Sequence, residues 1–447
     1  MKEGRAMLSL DDALARLVAA AQPHALRFDV GATGDAGETG DAAATEFVDT
    51  FDALGRVLAA DVRSMIDVPP EDNTSMDGYA MRSADVAAAG TVLPVSQRIP
   101  AGHVGQPLEP GTAARIFTGG QVPVGADAVV MQEQCEAVAT AGATGELGSV
   151  RIDTVPQSGQ WIRRRGEDVA NGAVVLHAGR RLTPQALGLA ASVGAGRLTV
   201  WRRLRVAIFS TGDELMMPGE PLRPGAIYNS NRYTLRALLQ SAGCEVDDLG
   251  IVVDTLSATR AALRRAAAGN DLVVTCGGVS VGEEDHLKPA VEAEGSLEQW
   301  QIAIKPGKPL AFGRIRRNAA AAAAAGDGAT NVGSALFIGL PGNPVSAFVT
   351  HVLAVSTVLR VLQRMEPSLP PGLPMRADFD WPKPDRRREF LRVQINADGG
   401  LDLFPNQSSG VLTSTVWADG LVDNPPQRAI ERGDNVRFLP LSELVAR

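Results

Sequence analysis

The chain is short of cysteine, histidine and aromatic side chains, and it has no long uninterrupted apolar run. Its 447 residues include three cysteines, Cys135, Cys244 and Cys276. They are too few and too scattered for a disulfide framework, and none stands in a C-x-x-C pair, which excludes a cysteine zinc site. The five histidines, His24, His103, His177, His286 and His351, never fall in H-x-H or H-E-x-x-H spacing. Any metal is therefore expected to be a hard, oxygen-bound cation such as Mg²⁺. With 4% aromatic residues and a net charge of −8, neither a base-stacking platform nor a basic face for nucleic acid is expected. No stretch approaches the roughly 20 apolar residues that span a bilayer, and the start MKEGRAMLSLDDALARL lacks an apolar leader core. The expectation is a cytoplasmic chain with neither membrane nor nucleic acid among its partners.

What is present is ordinary globular usage, 45% hydrophobic and 21% charged, with a length that predicts about three domains. Ser9-Leu10-Asp11-Asp12 opens an amphipathic helix carrying Leu10, Leu14, Leu17 and Val18 on one face. Residues 29–45, 136–150 and 318–333 have low complexity and read as insertions. Short strands broken by Pro and Gly predict a β-rich lid domain over 68–150, flanked by a linker domain made of 8–67 with 151–202. In the latter, Thr183-Pro184 starts a helix running to about Val193. Over 203–365, buried-strand runs such as LRVAIFS and DLVVTC alternate with amphipathic helices, one of them starting after Asn229. This predicts an α/β domain with a central parallel sheet and a ligand at the carboxyl ends of its strands. Asn343-Pro344 starts a helix with Phe348, Val352, Val355, Leu359 and Leu362 as a core-facing stripe. Beyond the PSLPPGLP linker, 366–447 reads as a small β-barrel or sandwich.

Polar clusters stand where the strands end. FSTGDEL (209–215) sets Ser210, Thr211 and Glu214 at a strand-to-loop corner that suits a cation or an amino-heterocycle edge, although S-T-G-D also makes an everyday turn. In TCGGVSVGEEDHLKP (275–289), Gly277-Gly278 allows close backbone approach, Ser280 can cap, and Glu283-Glu284-Asp285 crowd one turn. Mg²⁺ bridging phosphate oxygens and a helix-dipole preference are the competing explanations of those acids. AIKPGKPLAFG (303–313) holds Lys305 and Lys308 on a backbone restricted by Pro306 and Pro309, which suits a fixed oxyanion and is not a Walker A loop. FIGLPGNPVSAF (337–348) puts Ser346 in the first turn of a helix, where an anion would meet backbone N–H groups. VPPEDNTSMDGYAMR (68–82) carries more polar groups than a linker needs.

Together DNTSMDGYA, RIFTGG, VVMQEQ, RRRGEDV, FSTGDEL, GGVSVGEED, AIKPGKPLAFG and GLPGNPVS, in that order, resemble the molybdopterin molybdenumtransferases, the bacterial MoeA proteins and the matching domain of gephyrin. The resemblance runs from about Leu8 to Leu439. It implies an elongated four-domain homodimer whose α/β domain is shared with molybdopterin adenylyltransferases. It also implies a reaction that inserts molybdate into adenylylated molybdopterin and releases AMP with Mg²⁺. By motif it assigns Asp77, Thr118, Asp168, Glu214, Asp254 and Asp285 to catalysis, with Glu214, Asp254 and Asp285 as metal ligands. Ser210, Thr211, Gly277, Gly278, Ser280, Lys305, Lys308, Pro341, Gly342, Asn343 and Pro344 match the cofactor-binding loops. Lys308, Ser346, Arg392 and Ser409 resemble a molybdate pocket. The chain departs from the family pattern at Gln301, Asn229 and His286, where relatives often have Lys, Asp and Tyr. The adenylyltransferase, which is also an expected partner, is an alternative reading, as is a gephyrin-like scaffold. The long N-terminal half speaks against the first, and the intact Asp77, Asp285 and Lys308 speak against the second.

Overall fold

The computed structural model of the chain describes residues 7–26, 44–138, 147–278, 286–317 and 333–446. Most of the three expected insertions lie outside those residues. The described flanks of the second are strands, Cys135–Val138 pairing antiparallel with Ser149–Ile152.

The α/β domain is built on β1 (Arg205–Thr211), β2 (Glu245–Val252), β3 (Leu272–Cys276), β4 (Gly295–Gln301), β5 (Pro309–Arg316) and β6 (Ser334–Leu340). They form one sheet in the order β2-β1-β3-β6-β5-β4. The first four are mutually parallel, whereas β5 and β4 are antiparallel to their neighbours. The sheet is thus mixed at one edge. Only 302–308 join β4 to β5, too few residues for the crossover a parallel pair requires.

Four helices cover this sheet: α1 (Ser230–Ser241), α2 (Leu256–Gly269), α3 (Leu287–Glu294) and α4 (Pro344–Leu362). Successive strand residues point to opposite faces. Val206, Ile208, Val274 and Ile338 accordingly pack with Leu235 and Leu239 of α1 and with α4. Ala207, Phe209, Val273 and Phe337 pack with Leu263 of α2 and Val291 of α3. Because both faces are buried there, the central strands β1, β3 and β6 read as nearly continuous apolar runs.

The predicted stripe on α4 is too narrow a description. Every residue from Val345 to Val355 is buried, as are most up to Leu362. The helix is long and apolar enough to cross a membrane, but 89% of its most apolar window is buried inside the protein. A helix enclosed on all sides is apolar on all sides. His351–Val355 forms a π-helical turn within it, which the apolar spacing did not announce. The N-terminal helix Leu10–Ala21, capped by Ser9 Oγ accepting the Asp12 N–H (3.0 Å), buries Leu10, Ala13 and Leu17 in this same core.

Thr45–Asp49 pairs with Arg197–Trp201 and Val62–Arg63 with Val174–Leu176, so chain on both sides of the β-rich domain meets in one unit. Arg181 fastens that unit to the α/β domain. Its guanidinium donates to Gly55 O (3.2 Å), to Ala242 O (3.0 Å) at the end of α1 and to Gln363 Oε1 (3.0 Å) at the end of α4. The six-stranded lid sheet runs from Gly78 to Ile152, two residues past the expected boundary. The C-terminal strands Leu373–Arg376, Arg388–Ile395, Leu401–Leu403, Gly420–Asn424 and Asn435–Pro440 close into a barrel through the bridge between Ala377 and Leu401. Ile304–Lys305 pairs with Arg388–Glu389 and carries the α/β domain onto that barrel.

Phe337 is fully buried against α2 and α3. Phe337→Ala is expected to cost about 3–5 kcal/mol, by lost transfer energy plus a cavity. The measurement is the urea midpoint of the α/β domain, and a loss under about 1 kcal/mol would contradict this packing.

Candidate functional site

The parallel strands β1, β3 and β6 end on one edge of the sheet, and the reversed β5 begins there. A cleft of about 810 Å³ opens along this edge. Ser210, Thr211 and Glu214 line it from the end of β1, Asn229, Ser230 and Asn231 from the start of α1, and Asp254 from the end of β2. Gly277 and Gly278 line it after β3, and Pro341, Gly342, Asn343, Pro344 and Ser346 after β6. Eleven of the residues expected from sequence are therefore gathered in one place. Lys308 and Ser409 stand one position from the lining residues Pro309 and Gly410. Ser280, Glu283, Glu284 and Asp285 lie outside the described residues.

The cleft floor is made of backbone in close approach. Gly277 has φ +94°, and a Cβ there would fall 2.8 Å from Thr211 O. Asn231, which the sequence reading overlooked, ties the loops together. Its Nδ2 donates to Gly342 O (2.7 Å) and to Cys276 Sγ (3.0 Å). Cys276 donates in turn to Pro341 O (3.2 Å), and burial pushes its thiol up to about 12, so it serves as a neutral strut. The only signal for Asn231 in the sequence is the polar run Asn229-Ser230-Asn231 at a helix start.

Lys305 does not line the cleft. Its Nζ lies 3.1 Å from Glu389 Oε1 and 3.5 Å from Asp385 Oδ2. Glu389 is 1% exposed and also accepts Trp381 Nε1 (2.8 Å) and the Asp385 N–H (3.1 Å). The lysine answers a buried carboxylate of the barrel, which a reading of the AIKPGKP loop by itself cannot show. The loop's shape does need its glycine, since Gly307 has φ +111° and a Cβ would meet Thr350 Oγ1 at 2.4 Å.

Arg392 is 1% exposed, with no carboxylate against it among the described residues. It donates to Ser414 Oγ (3.2 Å), Phe390 O (3.2 Å) and Ser408 O (3.4 Å), and burial pulls its guanidinium down to about 10. Ser409 O accepts the Val345 N–H (3.0 Å), fastening the 408–412 loop to the start of α4. Of the four residues likened to a molybdate pocket, Ser346 lines the cleft, Ser409 and Lys308 flank it, and Arg392 underlies the loop.

Asp77, Thr118 and Asp168 belong to the β-rich region and do not line the cleft of their own α/β domain. Asp77 Oδ1 accepts the Thr118 N–H and hydroxyl, both at 2.7 Å. Those bonds hold its carboxyl below the usual range. Asp168 is exposed, on a turn anchored by Arg164 to Asp72 (2.7 Å) and by Arg165 to Asp67 (2.7 Å).

No group of three or more His, Cys, Asp or Glu gathers to hold a metal among the described residues. Glu214 and Asp254 on one cleft wall are nevertheless two hard oxygen donors. That set fits Mg²⁺, which takes one or two carboxylates together with substrate phosphate.

Two measurements separate these roles. Thr118→Val removes one bond to Asp77 and should raise its carboxyl pKa toward the ordinary value in a ¹³C NMR titration, while the remaining backbone bond keeps it partly depressed. Because the native pKa is depressed, this contact is present above the ordinary carboxylate range and is lost as pH falls through the lowered value. Lys305→Met leaves Glu389 without its cation and should destabilise the barrel by about 1.5–3 kcal/mol in denaturant titration. A lysine kept only for an anion would leave stability unchanged.

Three family models match consecutive parts of the chain: the "MoeA N-terminal region (domain I and II)" over 8–194, a "Probable molybdopterin binding domain" over 207–361 and the "MoeA C-terminal region (domain IV)" over 374–441. The molybdopterin molybdenumtransferase of Haemophilus influenzae is 38% identical over 408 residues, covering 90% of this chain and 95% of that one. Molybdopterin molybdenumtransferase 2 of Mycobacterium tuberculosis is 36% identical over 385 residues, 83% of this chain and 89% of that one. The crystal structure of the molybdopterin biosynthesis moeA protein from Pyrococcus horikoshii superposes with a TM-score of 0.74 at 26% identity, covering 97% and 99% of the two chains. With eight motifs in order, a cleft at the strand ends and matches along nearly its whole length, the chain belongs to the MoeA family of molybdopterin molybdenumtransferases.

Proposed function

We propose that the cleft binds adenylylated molybdopterin and that molybdate is inserted there at the two dithiolene sulfurs, with release of AMP. The observation that carries this reading is the joint lining of one cleft by Ser210, Thr211, Glu214, Asp254, the Pro341–Pro344 loop and Ser346. Its volume falls within the usual range of about 300–1,000 Å³ for a small-molecule site. Glu214 and Asp254 would hold Mg²⁺, which supplies charge neutralisation at the phosphoanhydride when bound. Glu214 and Asp254 also keep the wall acidic, while Gly277 lets the substrate approach the backbone. Ser346 and Lys308 offer a hydroxyl and a cation near the start of α4, where a tetrahedral dianion would also meet helix N–H groups.

Asp77 and Thr118 enter this scheme through a second subunit. We place the lid of one protomer over the cleft of its partner, in a homodimer, since convergent polar sites favour domain interfaces. This also gives the half-buried, pre-charged Asp77 carboxylate something to act on. The adenylyltransferase supplies the substrate and is the expected soluble partner.

Incubation with adenylylated molybdopterin, Mg²⁺ and molybdate should release AMP, measured chromatographically. Glu214→Gln should slow release by about a hundredfold or more while the unfolding midpoint stays within about 0.5 kcal/mol of wild type. Mixing Asp77→Ala with Glu214→Gln protein should return about a quarter of wild-type activity through heterodimers with one intact cleft. No return after verified subunit exchange would refute the shared site.

A further inference from the structure

The cleft wall contains a buried donor with no partner among the described residues. Asn229 is 2% exposed and lines the cleft. Its Oδ1 accepts the Arg232 N–H (3.2 Å) and so caps α1, whereas its Nδ2 is buried without a hydrogen-bond partner among the described residues. Buried polar groups are almost always paired, so an orphan at a ligand cleft calls for an acceptor carried by the ligand.

The surroundings point to the same chemistry. The N–H groups of Ser230 and Asn231, the first two of α1, have no acceptor among the described residues. The first turn of this twelve-residue helix contains no acidic residue, so the positive end of its dipole is not neutralised from within. Arg232 is committed to Asp248 (2.8 Å) and adds no free cation. Asn231 Nδ2, bonded to Gly342 O and Cys276 Sγ, holds the turn at a fixed distance from the neighbouring loops. The donors are therefore positioned before any ligand arrives.

We propose that the first turn of α1, Asn229 to Asn231, binds a phosphoryl group, with Asn229 Nδ2 and the N–H groups of Ser230 and Asn231 donating to its non-bridging oxygens. The inference deepens the reading of the cleft as the adenylylated molybdopterin site and rests on it. The asparagine is what makes the end of the helix receptive. An aspartate would cap as well as asparagine does, but it would set its own charge where the phosphoryl goes. In this chain the anion is left to the ligand.

The phosphoryl could belong to the AMP moiety or to the pterin phosphate, so AMP and molybdopterin are titrated separately into the full-length protein by calorimetry, with adenosine as the control for AMP. Asn229→Ser keeps a capping oxygen and removes the amide, and Asn229→Asp keeps the cap and adds a charge, so unfolding midpoints should match wild type. For whichever ligand carries the bound phosphoryl, affinity should fall about tenfold in Asn229→Ser and about a hundredfold in Asn229→Asp, with adenosine binding unchanged. Unaltered affinity for both ligands in both variants would overturn the proposal, as would equal losses for AMP and adenosine. So would failure of the wild type to bind either phosphorylated ligand. These outcomes do not depend on turnover. Intact AMP release in a variant with unchanged binding would reject the phosphoryl site while leaving the proposed function standing.

Discussion

Burial of both faces of the α/β sheet is the constraint on which the rest of the molecule depends. Once Val206, Ile208 and Val274 face α1 and α4, and Ala207, Phe209 and Val273 face α2 and α3, the interiors of β1, β3 and β6 are filled almost entirely by apolar side chains. Chemistry is displaced to the strand ends, and parallel β1, β3 and β6 put those ends on one edge. The reversed β5 completes the arrangement, because its antiparallel register against β6 returns the Lys308-Pro309 corner to that edge. A fully parallel sheet would have carried the corner to the opposite end.

The parts of this organisation that were legible in the sequence obey local rules. Apolar runs of period one, Thr183 before Pro184, Asn229 before an amphipathic stretch and glycines at strand ends each report a short-range requirement that a reader can check along the chain. What escaped depends on partners distant in sequence. Lys305 looked like an anion anchor because Glu389, eighty-four residues away, is invisible from the AIKPGKP loop. Arg392 gave no sign that it would be enclosed beneath Ser408, or Asn231 that it would bridge Cys276 and Gly342. The stripe on α4 failed for a related reason, since one-sided periodicity cannot reveal neighbours on every side.

The electrostatics of the cleft follow from the same displacement. Its described walls carry the carboxylates Glu214 and Asp254 together with hydroxyls and amides, and no lysine or arginine. Lys305 and Arg392 are turned to Glu389 and to the 408–412 loop, so positive potential at the wall comes from helix ends, with Lys308 at the rim. Fixed dipoles need little reorganisation when an anion binds, which suits a site that must hold several negative groups close together. The cost is that such a site tolerates few carboxylates of its own beyond those matched by a cation.

Arg181 adds a consequence for behaviour in acid. It joins the N-terminal unit to the α/β domain through the carbonyl of Ala242 and the amide of Gln363, at two helix ends, and not through a carboxylate. Backbone dipoles do not titrate. The turn bearing Asp168 is held instead by Asp67 and Asp72, whose carboxyls are lowered but can still be protonated. As pH falls, the fastenings of the turn bearing Asp168 weaken while the joint at Arg181 keeps its grip, so acidification loosens that turn before it loosens the contact between the N-terminal unit and the α/β domain.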